Sequence, residues 1–234
     1  MKIYKFALIG LCTLFIVGLI ATVAMMIKQT LTDIMINDNI TSFIQNVKYR
    51  NPVAVDGAPL IAQKISCGYA CIEMMSEFLE ASPAATEDAM FAQNGKRILT
   101  STTEGMYREL KKQFPEYEAT MRKNLKNSEL IGAIYESLSG GMPAICLYAA
   151  PNEAAAGEKD AAWVLHCGIV VGMDIPGDKI TLNDPYGHTD TYSVRNFLKA
   201  TRFDAYENMP FYLKLGFAFG TYTKNTVYTL EKKP

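Results

Sequence analysis

"QKISCGYACIEMMSEFL", residues 63–79, turns from a polar approach into an apolar run, and two cysteines, Cys67 and Cys71, stand four residues apart at the turning point. Ser66 can accept a backbone N–H in the first turn of a helix, so the helix is expected over Cys67 to about Leu79. Along it Ala70, Met74 and Phe78 recur at four-residue spacing, with Cys71, Met75 and Leu79 one position further round. That gives a broad apolar face, and the helix is expected to be largely buried.

The two cysteines then differ in kind. Cys67, in the first turn, lies near unpaired N–H groups and the positive end of the helix dipole, both of which favour thiolate, the nucleophilic form. Cys71 lies one turn further in, among Met74, Met75 and Phe78, where apolar surroundings raise a thiol's pKa and leave it inert. A Cys67–Cys71 disulfide is uncommon within a helix. The cysteine and histidine spacings also lack the paired short intervals of zinc sites. No metal or organic cofactor is expected.

A cysteine nucleophile needs a base, and the base needs an orienting group. The chain has only two histidines, His166 and His188. His166 falls inside "WVLHCGIVVGM" (163–173), which with "KITLN" (179–183) reads as two strands around the turn Asp174 to Asp178. Antiparallel pairing about that turn is expected to bring Asp184 close to His166 and Trp163, where a carboxylate can fix the imidazole tautomer. His188, in "YGHTD", reads as an exposed loop residue. Gln63, four residues before Cys67, can aim its amide at a developing oxyanion together with the Cys67 N–H.

The order of Gln63, Cys67-Gly68-Tyr69-Ala70-Cys71, then His166-Cys167-Gly168-Ile169-Val170-Val171-Gly172 and Asn183-Asp184-Pro185-Tyr186-Gly187, resembles the C39-type and C39-like cysteine peptidases, a branch of the papain-like fold. The resemblance spans about residues 55 to 200. It implies Cys67 as nucleophile, His166 as general base, Asp184 as orienting group and Gln63 as oxyanion donor. Two positions depart from the family pattern: the interval from Gln63 to Cys67 is shorter, and Tyr69 stands where the family often has proline.

Elsewhere the chain reads as helices first and strands later. Helices are expected from Ser82-Pro83 to about Gln93, from a Thr102 or Thr103 cap to before Pro115, from Ser128 to Leu138 ahead of Gly140-Gly141, and from Ser193 to about Ala200. Strands are expected at "PAICLYA" (143–149), "FYLKLGFAF" (211–219) and "TVYTLE" (226–231). This is the pattern of an α+β domain with helices on one side of an antiparallel sheet, and the resemblance implies that it is a papain-like fold.

From Phe6 to Ile27 no charge interrupts 22 positions, matching the roughly 20 residues of a spanning helix. Lys2, Lys5 and Lys28 flank the run, which favours a cytoplasmic N-terminus. Thr22-Val23-Ala24 offers a signal-cleavage site as the alternative, although the run exceeds the usual h-region. Cys12, preceded by Leu11, does not fit a lipoprotein cysteine. The organisation expected is an anchor or signal segment over 1–28, a juxtamembrane linker over 29–54 and the domain over 55–234. With 20% charged residues and a net charge of −1, no nucleic-acid surface is indicated.

The sequence thus predicts a membrane-anchored, extracytoplasmic thiol hydrolase of bacterial type, acting on a peptide or protein. Transfer or deamidation by the same residues, a non-catalytic peptide-binding module and a secreted form after signal cleavage are the alternatives.

Overall fold

The computed structural model describes residues 2–151, 163–204 and 210–234. Its first element is the helix α1 (Lys2–Ile36). The stretch Gly10–Ile36 is long and apolar enough to cross a membrane. Two short helical turns follow, α2 (Thr41–Ile44) and a 3-10 turn at Val47–Tyr49, and then the two-residue strand β1 (Val53–Ala54).

The helix expected at the opening stretch is present as α3 (Cys67–Phe78), and Ser66 caps it by accepting the Tyr69 N–H. Next come α4 (Glu87–Gln93) and α5 (Thr103–Gln113), capped by Thr86 and Thr102. The α4 helix starts later than Ser82-Pro83 because the Thr86 hydroxyl, and not Ser82, accepts the first-turn N–H, from Ala89. The strand β2 (Tyr117–Arg122) precedes α6 (Asn127–Ser139), and β3 (Ala144–Pro151) precedes the long strand β4 (Trp163–Asp174). The chain continues through β5 (Lys179–Asp184), β6 (His188–Tyr192), α7 (Val194–Thr201), α8 (Phe211–Ala218) and β7 (Val227–Lys232).

The seven strands form one antiparallel sheet in the order β2-β7-β3-β4-β5-β6, with β1 pairing on β4. The expectation of an α+β chain holds, but the helices cover both faces of the sheet and not one. Along β3, Ile145, Leu147 and Ala149 face a core shared with α3, α4, α5 and α8, while Cys146, Tyr148 and Ala150 face a second core shared with α6 and α7. Alternate side chains of a strand point to opposite faces, so a strand apolar at every position, as "AICLYAA" is, needs cover on both.

Two further expectations are corrected. Residues 211–218 are a helix, not a strand, because Leu213 and Phe217, four apart, both bury on the first core. His188 opens β6 and is no loop residue; it pairs with Asp184, and its Nδ1 lies 3.2 Å from Asp190 Oδ1.

Candidate active site

The β4–β5 hairpin positions two of the expected residues. Gly177 N–H donates to Asp174 Oδ1 across the turn, and Asp174 pairs with Lys179, which sets the register. A register shift between Val170 and Gly172 accommodates a bulge, after which Ile169 faces Asn183. His166 and Asp184 then meet at His166 Nε2···Asp184 Oδ1, 2.8 Å, with both side chains almost fully buried. Trp163 is not part of this meeting; it pairs with Pro151 at the start of β4.

Beyond the hairpin, the approach to α3 is tied to the end of β5. Asn183 Nδ2 donates to the carbonyls of Ala58 and Pro59, and Gln63 N–H donates to Pro185 O at 2.7 Å. This laces residues 58–66 against the His–Asp pair and delivers Cys67 to it. The Cys67 thiol lies on one cavity with the His166 ring and the Cys167 thiol, and each of the two acts on its titration. With Nε2 taken by Asp184, Nδ1 is the ring nitrogen left for Cys67.

Four other residues shape the site and were not read from the sequence. Tyr148, opposite His166 on β3, donates its hydroxyl to Asp184 Oδ2, so both carboxylate oxygens are engaged. Tyr186 stacks on the His166 ring, centroids 4.3 Å apart and planes 13° from parallel, and its N–H donates to Asp184 Oδ1. Cys167 receives a hydrogen bond from Cys71 at 3.6 Å and touches Cys67 from the other side. Glu87, at the start of α4 and 1% exposed, accepts the N–H groups of Lys64, Ile65 and Ser66 at 2.8, 2.8 and 2.9 Å. One carboxylate thus fixes the three residues before Cys67.

Titration follows from these contacts. Burial alone would lower the His166 pKa, but the hydrogen bond to Asp184 and the bond and charge of Cys67 outweigh it and push the ring up to about 9. Burial would raise the Asp184 carboxyl, yet the bond and charge of His166, the Tyr148 hydroxyl and the Tyr186 N–H hold it below its ordinary value. For Cys67, the bond with Cys167 and burial outweigh the bond and charge of His166 and hold the thiol well above its ordinary value, against the thiolate expected from the helix terminus alone. Burial keeps the Cys71 thiol raised, as its apolar setting predicts.

A cavity of about 370 Å³ opens on this group, lined by Gln63, Cys67, His166, Tyr186, Leu165 and Leu213 among others. Gln63 therefore reaches the site, and its Oε1 is buried with no hydrogen-bond partner. The Tyr69 hydroxyl donates to Arg97 O and accepts from Leu99 N–H and Asn94 Nδ2, which fastens the loop bearing Ile98 and Thr100 as one cavity wall. The family departure at Tyr69 has that structural use. Among the described residues, Asp184, His188 and Asp190 bring ligand-type atoms within 4.8 Å of one another, but both Asp184 oxygens are already held by His166, Tyr186 and Tyr148. All five cysteines are free thiols.

No curated protein matches the chain. Residues 32–214, which run from the end of α1 through Cys67, His166 and Asp184 into α8, match the sequence model of the Peptidase_C39 like family, and the chain belongs to that family.

Proposed function

We propose that the chain is a membrane-anchored, extracytoplasmic cysteine peptidase with a papain-like fold, and that Cys67, His166 and Asp184 act as its catalytic triad. The observation that carries the reading is the His166 ring, bonded through Nε2 to Asp184 at 2.8 Å and sharing its other side with the Cys67 thiol at a cavity wall. In this reading the proton that His166 carries is the one it takes from the Cys67 thiol, and the thiolate left behind attacks the amide carbonyl. Asp184 orients the ring and stabilises the imidazolium. The proton then passes from His166 to the leaving amine, and water, activated by the same ring, hydrolyses the thioester.

The oxyanion of the tetrahedral intermediate would be met by the first-turn N–H of Cys67, which has no partner within the helix, and by the Gln63 amide. Gln63 lines the cavity, and the donor it would offer there is its side-chain NH2, the amide oxygen being an acceptor. The apolar helix that begins the chain supports an anchored location.

The test is alkylation of the full chain by iodoacetamide near neutral pH, located by peptide mapping. Labelling at Cys67 that is lost in Cys67→Ala and kept in Cys71→Ala supports the reading. No labelling at Cys67 would favour a peptide-binding module without catalysis.

A further inference from the structure

The C-terminal half of α1 shows which part of it the domain covers. Met25, Gln29, Thr32, Asp33 and Ile36 lose exposure at helical spacing, while Leu14, Phe15, Ile20 and Val23 remain largely exposed. Two polar clamps hold the upper end of this stripe: Lys224 Nζ to Asp33 Oδ1 at 2.6 Å and Arg202 Nη1 to Asn37 Oδ1 at 2.6 Å. At the lower end, Met25 and Lys28 share a small cleft with Phe217, Ala218 and Gly220. The domain therefore reaches down α1 as far as the last turn of its uncharged run, which ends at Ile27.

The element that reaches there is α8, and it has two faces. Leu213 and Phe217 point into the first core. Tyr212, Leu215 and Phe219, at positions i, i+3 and i+7, share the opposite face and are 66%, 39% and 65% exposed. An aromatic and aliphatic stripe facing water is costly, whereas aromatic side chains are favoured where hydrocarbon meets headgroups.

We propose that this outer face of α8 is seated in the interfacial layer of the bilayer crossed by α1, so that the Cys67 cavity opens at the membrane surface. The occupant is argued from continuity: the stripe adjoins the level of α1 where its uncharged run gives way to Lys28. Tyr212 and Leu213 of the same helix line the Cys67 cavity. The site thus faces peptide segments that lie on or emerge from the bilayer, which names the substrate class of the proposed peptidase. The inference rests on the anchored reading of α1.

The experiment uses the full chain carrying Trp163→Phe and Phe219→Trp, reconstituted in phosphatidylcholine and phosphatidylglycerol vesicles. Vesicles in which the lipids are brominated near the headgroup end of the acyl chain should remove most of the Trp emission, and aqueous acrylamide should remove little. An unquenched Trp that stays open to acrylamide, in a chain that resists alkaline extraction from the vesicles, overturns the seating of α8 and leaves the anchor intact. A chain washed off by alkaline extraction overturns the anchored reading and this inference with it. Iodoacetamide labelling of Cys67 in detergent is independent of both and reports on the proposed chemistry alone.

Discussion

Glu87 Oε2 accepts the Ser66 N–H at 2.9 Å, one residue ahead of Cys67, although 21 positions of chain separate the two residues. With the Lys64 and Ile65 N–H groups on the same carboxylate, the turn into α3 is built around a buried anion. Hydrogen bonds to a charged acceptor are each worth about 1.5–3 kcal/mol, more than the helix cap that Ser66 supplies at about 1 kcal/mol. Glu87 thus fixes the backbone just ahead of Cys67, and it is not among the residues lining the cavity.

Glu87→Gln should therefore lower stability by about 2–4 kcal/mol, since the NH2 half of its amide presents N–H to backbone N–H donors. The readout that separates positioning from mere stability is the Cys67 alkylation rate, measured well below the variant's own Tm. It should fall several-fold while the rate at Cys12, read in detergent, holds. An unchanged rate would reduce Glu87 to a structural residue.

Asp184→Asn should keep an acceptor near His166 Nε2 and remove the negative charge. The loss of that charge should lower the His166 pKa and slow Cys67 alkylation and peptide turnover by about 10²–10⁴-fold, the range of orienting and acid–base contributions. Tyr148→Phe should do less to rate. It leaves Asp184 Oδ2 without its donor, at a cost of about 1–3 kcal/mol, so thermal unfolding is the measurement that sees it first.

The reach of sequence reading here follows contact distance along the chain. The α3 cap and the β4–β5 hairpin depend on contacts a few residues apart, so Ser66 and the His166–Asp184 approach were legible. Glu87 was not, because nothing local marks a carboxylate destined for N–H groups 21 to 23 residues earlier. The segment "FYLKLGFAF" reads as a strand because an apolar run with aromatic content does not distinguish a strand from a helix buried on one side. The strand β2, "YEATMR", gives no apolar run to read because it lies at the sheet edge, where alternate residues are exposed and two of them carry charge. Its pairing with β7 joins residues over a hundred positions apart, beyond any local signal.

The His166–Asp184 pair should set the pH dependence of stability. His166 has a folded pKa of about 9, above its ordinary value near 6.5. Its contribution is complete below about pH 6.5, where both states hold the proton, and is lost as pH rises toward 9, at up to about 1.4 kcal/mol per pH unit. Asp184, held low, contributes above the ordinary carboxylate range and loses that contribution as pH falls through its depressed folded value. Thermal unfolding of the wild-type chain should show both limbs. His166→Gln should flatten the alkaline limb, and an alkaline limb of equal slope in that variant would contradict the ionised pair.

Gly68, the residue after Cys67, is packed too closely for a side chain: an added Cβ would lie 2.5 Å from both Cβ and Oγ1 of Thr100. Thr100 is in turn fixed by its contact with Ser66 Oγ at 3.3 Å and lies on the loop fastened by Tyr69. Gly68→Ala must therefore push the cavity wall outward, at a cost of about 1–3 kcal/mol, and slow Cys67 alkylation by displacing the start of α3. Because Thr100 Cβ is itself in the way, Thr100→Ser should not relieve the variant, whereas Thr100→Gly should restore most of the alkylation rate. Thermal unfolding and alkylation of the two double variants decide it. Equal behaviour of the serine and glycine variants would mean that the strain lies elsewhere.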